Sequence, residues 1–290
     1  MYNDLFTIGP FTAHGYGLMI GIGVIAAYFS GVYRGRKYGV DDEPIFTLLI
    51  WCLVFGYAAS KILYVITIFD QVIRDPRVLL DAITNGWVVY GGILGGILGA
   101  WLYLKRRGKN FMQYFDLLMP SVVLAQAFGR IGCFLAGCCY GIACDAPFAV
   151  TFHNSGYAPN NIPLFPSQLV MSAFDFALYF FLLWLYRRWH RKVRDVSLKE
   201  LFSDEAPAAV TADSTEMEEE SEEPEAGPVM PDGSVGVIYL ACYSVGRFFM
   251  EYLRGDLERG NVGFLSTSQF IAVFVVLFTV IWFMIRKRHA

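Results

Sequence analysis

The stretch YGLMIGIGVIAAYFSGVY at residues 16–33 contains no charged side chain, and the basic sequence RGRK at residues 34–37 follows it at once. A helix needs about 20 mostly apolar residues to cross the bilayer core, with a range of about 17–25. No signal-peptide cleavage site precedes this stretch, and it is long enough to stay in the membrane. It therefore predicts a transmembrane helix rather than a leader that is removed.

The composition of the whole chain agrees with a membrane protein. Of the 290 residues, 56% are apolar and 17% charged, against roughly 45–50% and ~25% in soluble domains, and the mean hydropathy is +0.45. We therefore do not expect this chain to be a soluble enzyme. The net charge of −3 hides an asymmetry, because residues 195–232 hold 13 of the 26 acidic side chains and one basic residue. The other 252 residues carry a net charge of +9.

Apolar stretches of membrane-spanning length recur along the chain. They predict an all-α polytopic membrane protein with seven transmembrane helices, at residues 16–33, 46–67, 87–104, 117–135, 169–186, 236–253 and 268–285. When the connecting segments are assigned alternately to the two sides, 16 Lys and Arg residues fall on one side and 4 on the other. Cytoplasmic loops are enriched in Lys and Arg, so we expect the N-terminus outside and the C-terminus in the cytoplasm.

Three parts of the chain are expected from this pattern. Residues 1–194 hold spans one to five, with a small extracytoplasmic loop region at 136–166 between spans four and five, and residues 233–290 hold spans six and seven. Residues 195–232 include the run TEMEEESEEPEAGPVMPD and have the composition of a disordered segment. We expect this segment to be a cytoplasmic linker, either a passive tether or a site for regulation or partner binding.

Ionisable side chains inside predicted spans indicate function, because burying a charge in a membrane is costly unless the charge is paired or faces water. Arg130 in span four and Arg247 in span six are both expected ~8–9 Å below the outer interface, from the helical rise of 1.5 Å per residue. Arginine binds phosphate through a planar fork, so the two predict a site for an anion such as a lipid phosphate. The structural alternative is that both snorkel to the interface or pair with Glu251. Other polar residues expected in the same layer are Lys61, Tyr90, His14 and Tyr16.

Two further patterns accompany these charges. Tyr239, Tyr243, Arg247 and Glu251 recur every four residues and form one polar stripe on span six, where Glu251 is placed to neutralise or orient Arg247. In span three, the sequence YGGILGGILG at residues 90–99 carries glycines at a spacing of four, which allows close helix packing. Gly91 and Gly92 follow Tyr90 and have no side chains, so a ligand could also approach the backbone closely at this point.

Four of the six cysteines fall within GRIGCFLAGCCYGIAC at residues 129–144, on the expected outer face where disulfides can form. Cys138, Cys139 and Cys144 are the candidate disulfide partners, with the connectivity open. The adjacent pair does not match a zinc spacing and no CxxC is present. We expect no metal site, no cofactor and no nucleic acid partner.

Five blocks of sequence together resemble the prolipoprotein diacylglyceryl transferase family. The blocks are HGYGLM (14–19), YGGILGG (90–96), FGRIGCFLAGCCYG (128–141), FPSQL (165–169) and YSVGRFFMEYLR (243–254). The resemblance covers essentially the whole chain except the acidic segment. It implies a seven-span enzyme of the bacterial plasma membrane with its N-terminus outside. That enzyme moves the diacylglyceryl group of phosphatidylglycerol to the lipobox cysteine of a preprolipoprotein signal peptide, forming a thioether and releasing glycerol phosphate.

The resemblance also implies roles for individual residues. Arg130 resembles the phosphatidylglycerol-binding arginine of the family and Arg247 its second essential arginine. The expected catalytic residues are Arg130, Arg247, Tyr90 and Tyr243, with Tyr90 in a positioning role. The expected phosphatidylglycerol-binding residues are Arg130, Arg247, Tyr16, Lys61, Gly91, Gly92 and Glu251.

The chain departs from the family pattern at four positions. Tyr90 and Phe165 stand where the family usually has histidines, and Cys133 and Cys138 stand where it usually has an asparagine and a glutamate. These departures leave the general base unassigned. Two alternative classes are a lipid-transporting or scrambling protein without chemistry and a membrane thiol oxidoreductase that uses the clustered cysteines.

Overall fold

The computed structural model describes residues 4–8, 11–190, 192–193, 196, 201, 230–256 and 261–287. Most of the predicted acidic linker at residues 195–232 lies outside these ranges. The described chain is mainly helical, with three two-stranded antiparallel sheets in the connections.

The helices are α1 (Gly15–Tyr38), α2 (Glu43–Thr67), α3 (Phe69–Arg74), α4 (Val78–Thr84), α5 (Val89–Arg106), α6 (Phe111–Ala136), α7 (Ser167–Trp189), α8 (Ser234–Glu251) and α9 (Thr267–Lys287). The strands pair in chain order as β1 (Asp4–Ile8) with β2 (Phe11–His14), β3 (Val150–Thr151) with β4 (Pro163–Leu164), and β5 (Asn261–Val262) with β6 (Leu265–Ser266).

Every predicted span coincides with one long helix whose ends differ by a few residues. Helices α1, α2, α6, α7 and α9 are long and apolar enough to cross a membrane, which supports an all-α membrane protein. Helices α5 and α8 have 18 residues each. The sequence did not predict α3, α4 or the three short sheets, because elements of two to seven residues give too few periodic positions to read.

Contacts within the chain divide it into two compact units. One unit comprises Asp41–Tyr114, and the other comprises Met1–Val40 together with Phe115–Ala290. The larger unit thus joins segments that are distant in sequence, and the expected division at residues 194 and 232 stays a prediction.

Glycines allow α2 and α5 to pack closely within the unit Asp41–Tyr114. A Cβ atom added to Gly91 would lie 2.6 Å from the Ala59 carbonyl oxygen, and one on Gly95 would overlap the Phe55 carbonyl oxygen. A Cβ atom on Gly96, one residue further, would keep an ordinary distance of 3.8 Å from the Cys52 carbonyl oxygen. Gly91 therefore allows the two helices to approach closely, and its expected role in ligand binding stays a prediction.

Buried polar side chains join the helices of the larger unit. The Asp116 carboxylate on α6 accepts hydrogen bonds from the backbone N–H groups of Gly233 (2.7 Å) and Gly236 (2.8 Å) at the start of α8. A negative charge in this position satisfies free N–H groups and opposes the positive end of the helix dipole. Arg34 on α1 is 2% exposed, and its Nε donates to the Leu117 carbonyl oxygen on α6 at 2.9 Å. Both contacts connect residues that are more than 80 positions apart.

We expect Gly95→Ala to destabilise the protein and Gly96→Ala to be tolerated. Overpacking a close contact costs about 1–3 kcal/mol, whereas alanine in an unobstructed helix interior gains about 0.5–1 kcal/mol over glycine. Thermal unfolding of the purified variants in one detergent gives the comparison, with Gly96→Ala as the matched control. Equal melting temperatures for the two variants would contradict the packing described for α2 and α5.

Candidate anion-binding site

Helix α6 ends in a tight reversal that determines the position of the cysteine-rich loop. Gly137 has a left-handed φ of 74°, the Cys138 N–H donates to the Cys133 carbonyl oxygen at 3.1 Å, and the Gly137 N–H donates to the Phe134 carbonyl oxygen at 3.2 Å. This is the Schellman pattern of a helix end, in which glycine takes the left-handed position without strain. The reversal turns Cys138 and Cys139 back beside the last turn of α6.

Two other segments hold this loop. At the start of α7, the Ser167 hydroxyl donates to the Cys139 carbonyl oxygen and the Gln168 amide donates to the Cys138 carbonyl oxygen, both at 2.9 Å. Gly141 forms an antiparallel bridge with Arg254 beyond the end of α8. The loop after α6 and the loop after α8 are therefore hydrogen-bonded to each other.

A small pocket lies where these segments meet. Arg130 comes from α6, Arg247 from α8 and Arg254 from the loop after α8. The full lining is Arg130, Cys139, Ser167, Gln168, Met171, Arg247, Met250 and Arg254. The pocket thus brings together the two arginines expected from the sequence and adds a third.

Two of the three guanidiniums are held by carboxylates. Arg247 pairs with Glu251 at 2.6 Å, as its position one turn along α8 predicts, and also donates to the Ser268 hydroxyl at 3.3 Å. Arg254, 9% exposed, makes a two-point contact with Asp256, at 2.8 Å from Nε and 2.6 Å from Nη2. Burial lowers the pKa of Arg254, but the hydrogen bond to Asp256 and the interactions with Asp256 and Cys139 together outweigh burial and raise that pKa, so the guanidinium stays charged.

Arg130 makes no ion pair with any carboxylate of the described residues. Its guanidinium faces Tyr243 and Cys133, and the electrostatic influence of Asp175 on α7 reaches it. Asp175 is fully buried, and neither carboxyl oxygen has a hydrogen-bond partner among the described residues. Arg130 thus differs from the other two arginines of the pocket, each of which pairs with a carboxylate.

Two tyrosines expected from the sequence lie beside Arg130. Tyr16, at the start of α1, is close to Arg130 and packs over Gly132, where a Cβ atom would lie 3.1 Å from the Tyr16 ring. Tyr243 stacks on Tyr239 with ring centroids 5.8 Å apart. Helices α1, α6 and α8 therefore contribute side chains to one site.

Four other residues expected at the site belong to the unit Asp41–Tyr114, namely Lys61, Tyr90, Gly91 and Gly92. The Lys61 ammonium donates to the carbonyl oxygens of Ala82 (3.1 Å), Asn85 (3.3 Å) and Gly86 (3.0 Å). Because these contacts use its donors, Lys61 holds the end of α4 in place. Tyr90 is 40% exposed near the start of α5.

No disulfide links the six cysteines, all of which lie in the described ranges. The expected pairing among Cys138, Cys139 and Cys144 stays a prediction. The structure instead groups Cys133 with Cys138 and Cys139, with all three sulfur atoms within 4.8 Å of one another. Hydrogen bonds with Cys133 and Cys138, together with the nearby Arg254 guanidinium, lower the pKa of the Cys139 thiol against the effect of burial.

The sequence did not predict three residues of this site. Arg254 falls in a connecting segment, where it counts as an ordinary flanking charge. Gln168 is 1% exposed and its side-chain oxygen has no hydrogen-bond partner among the described residues. Asp175 could have been found in the sequence, since a carboxylate inside an apolar span indicates function as much as an arginine does.

Long apolar helices and three arginines around one pocket define this chain as a polytopic membrane protein with a cationic site. The chain belongs to the prolipoprotein diacylglyceryl transferase family, whose sequence model matches residues 3–203 and 222–285. The match confirms the resemblance, and it omits residues 204–221 within the acidic segment.

Individual relatives cover nearly the whole chain. It is 38% identical over 283 residues to the phosphatidylglycerol–prolipoprotein diacylglyceryl transferase of Clostridium tetani, covering 98% of this chain and 97% of that protein. It is 36% identical to the phosphatidylglycerol–prolipoprotein diacylglyceryl transferase 2 of Clostridium perfringens, covering 94% and 91%. It is 28% identical to the phosphatidylglycerol–prolipoprotein diacylglyceryl transferase of Pseudomonas paraeruginosa, covering 93% of this chain and 88% of that protein.

We expect Gly141→Ala to disturb the site and Gly156→Ala to leave it intact. A Cβ atom on Gly141 would overlap the Phe165 carbonyl oxygen, whereas nothing lies within 4 Å of one on Gly156. The overlap would separate the loop that carries Cys139 from its partners, at a cost of about 1–3 kcal/mol. Thermal unfolding measures this cost, and an unchanged Gly141→Ala protein would refute the close approach of these loops.

Proposed function

We propose that this chain transfers the diacylglyceryl group of phosphatidylglycerol to the thiol of a lipobox cysteine in a preprolipoprotein signal peptide. The transfer forms a thioether and releases glycerol phosphate. Family membership supports the reaction, since the relatives are named as phosphatidylglycerol–prolipoprotein diacylglyceryl transferases. The observation that carries the proposal for this chain is the pocket formed by Arg130, Arg247 and Arg254.

Arg130 binds the phosphate of the lipid in this proposal. Its guanidinium has no carboxylate partner among the described residues, and an arginine fork can hold two phosphate oxygens at once. Arg247 and Arg254 are already oriented by Glu251 and Asp256, so they supply a fixed positive field. As the bond from glyceryl carbon to phosphate oxygen breaks, negative charge grows on the leaving phosphate, and preorganised donors stabilise that charge.

The tyrosines orient the reacting groups. Tyr243 and Tyr16 lie beside Arg130, where their hydroxyl groups can bind the phosphate or the glycerol head group. Glu251 acts through Arg247 as a positioning residue. Four further residues stay proposals from the sequence, namely Tyr90, Lys61, Gly91 and Gly92. Tyr90 is proposed as a positioning residue. Of the two glycines, Gly92 has more space around its Cα atom than Gly91.

We further propose that all seven long helices cross the bacterial plasma membrane, with the N-terminus outside. This orientation agrees with the 16 to 4 distribution of flanking Lys and Arg residues. Helices α5 and α8, at 18 residues each, fall within the length range for a span. In this orientation α6 and α8 both end at the outer surface, where lipoprotein precursors expose their cysteine.

One assay tests the proposed reaction directly. The purified full-length protein is incubated in phosphatidylglycerol-containing membranes with a lipobox peptide, and the peptide mass is measured. A diacylglyceryl adduct on the cysteine, lost in Arg130→Ala, supports the transferase. A folded protein that yields no adduct contradicts it, and lipid movement without a product would favour the lipid-transporting alternative.

We expect Arg130→Lys to lose most of the lipidation activity although it keeps the charge. Lysine cannot form the two parallel hydrogen bonds of the guanidinium, and loss of a transition-state donor typically lowers the rate by about 100–1000-fold. Arg188→Lys, at an exposed position near the end of α7, is the matched control. A turnover near that of the unaltered protein in Arg130→Lys would rule out phosphate binding through the arginine fork.

Removal of residues 203–226 should leave lipidation in purified membranes largely unchanged. The family match omits residues 204–221, so the centre of the acidic segment lies outside the sequence that the family model describes. Turnover and expression level are measured side by side. A collapse of turnover at normal expression would show that the linker has a role in the reaction or its regulation.

A further inference from the structure

The three clustered thiols lie next to the anion-binding pocket and have no role in phosphate binding. Cys133 is on the last turn of α6, three residues after Arg130, and Cys138 and Cys139 follow the reversal at Gly137. Their sulfur atoms all lie within 4.8 Å of one another. Cys139 lines the same pocket as the three arginines, so anything bound to this cluster would lie beside the bound lipid phosphate.

We propose that Cys133, Cys138 and Cys139 bind a zinc ion whose fourth coordination position receives the thiol of the protein substrate. The proposal rests on the proposed function and adds to it the group that activates the nucleophile. It replaces the expectation from sequence that the chain has no metal site. That expectation relied on spacing along the chain, and the helix end brings together cysteines whose spacing is irregular.

The arrangement of the sulfur atoms suits zinc. Zinc binds cysteine sulfur at about 2.3 Å, which places sulfurs about 3.8 Å apart around a tetrahedral ion. The observed separations are at most 4.8 Å, so closure needs movements of about 1 Å or less. Two of the three ligands belong to a loop rather than a helix, and rotation of their side chains supplies movements of this size.

The number and type of ligands indicate an open site. Structural zinc sites use four protein ligands, whereas catalytic sites use three and leave one position for water or substrate. Among the described residues, the cluster offers three sulfurs and no fourth cysteine, histidine or carboxylate within the same group. The open position can be reached from the pocket, because Cys139 is part of the pocket lining.

The surrounding charge also fits such a complex. Three thiolates and one Zn²⁺ carry a net charge of −1, and a fourth thiolate makes it −2. The Arg130 and Arg254 guanidiniums lie close to Cys139, so positive charge is present on this side of the cluster. In an apolar setting an anionic complex without such compensation would be costly.

The chemistry of the pocket explains why activation of the thiol is needed. A thiol reacts as the thiolate, and its unperturbed pKa of ~8.5 leaves few thiolates at neutral pH. The lining of the pocket consists of arginine, cysteine, serine, glutamine and methionine side chains, and these include no imidazole or carboxylate to accept the proton. Coordination to zinc deprotonates a thiol without a protein base.

The substrate thiol loses its proton to water as its sulfur binds zinc. A sulfur lone pair then forms the bond to the glyceryl carbon of phosphatidylglycerol, and the bond from that carbon to the phosphate oxygen breaks. Its electron pair leaves on glycerol phosphate, which the arginines hold, and the neutral thioether is a weak ligand that dissociates from the metal.

The test measures metal directly on the full-length protein purified without chelators. We expect about one zinc ion per chain, and after exchange with Co²⁺ we expect the visible bands and sulfur-to-cobalt charge-transfer bands of a tetrahedral thiolate site. Addition of a lipobox peptide should shift the visible bands, and the same peptide with serine in place of cysteine should not. These measurements need no variant, so they do not depend on the folding of a mutant.

Variants locate the site. Cys139→Ser should lose the zinc and the cobalt charge-transfer bands and lower the lipidation rate by about 100-fold or more, the size expected when a nucleophile loses its activation. Cys144→Ser, a neighbouring cysteine outside the cluster, is the matched control and should keep both. Zinc-free unaltered protein, or a disulfide among the three cysteines in the active enzyme, would overturn the proposal.

The readouts separate failure of this proposal from failure of the proposed function. Full lipidation by zinc-free protein would leave the transferase in place and overturn the metal site. A cobalt spectrum that responds to the cysteine peptide, without any adduct, would support the metal site and overturn the transferase. A cobalt spectrum unchanged by the peptide would show that the substrate thiol does not bind at the fourth coordination position, and would overturn that part of the proposal.

Discussion

The pairing of charged groups in an apolar surrounding is the constraint on which this structure depends. The buried Asp116 carboxylate accepts hydrogen bonds from two backbone N–H groups at the start of α8. Glu251 and Asp256 each form an ion pair with one arginine of the pocket. Arg130 departs from this rule among the described residues, since no carboxylate pairs with it. In the proposed function, this guanidinium without a carboxylate partner, beside two that are fixed, gives the pocket its preference for an anion.

The loop after α6 connects the parts of the site. Its backbone is held by Ser167 and Gln168 from α7 and by the segment around Arg254 from beyond α8. The same reversal gathers the three thiols, because Gly137 sends the chain back along the helix it has just left. The position of Arg254 and the grouping of the cysteines therefore share one cause.

Similar residues in the sequence have different roles in the structure. Lys61 and Arg130 both look like unpaired charges inside a span, yet Lys61 donates to three backbone carbonyls in its own unit. Gly91 and Gly92 are neighbours, yet a Cβ atom would lie 2.6 Å from a backbone oxygen at Gly91 and 3.8 Å at Gly92. Arg254 looks like a loop charge and is 9% exposed in the pocket.

The sequence by itself determined the helical membrane fold, the position of each long helix, the pairing of Arg247 with Glu251 and the family. These properties depend on the lengths of apolar runs, a spacing of four along one helix and residues in fixed motifs, all of which are local. Only the tertiary structure decided that Arg254 joins the other arginines, that Lys61 is satisfied locally and that Cys133 meets Cys138 and Cys139. Such contacts depend on where the chain reverses and which segments pair, and neither is encoded in the length of an apolar run or in a spacing along one helix.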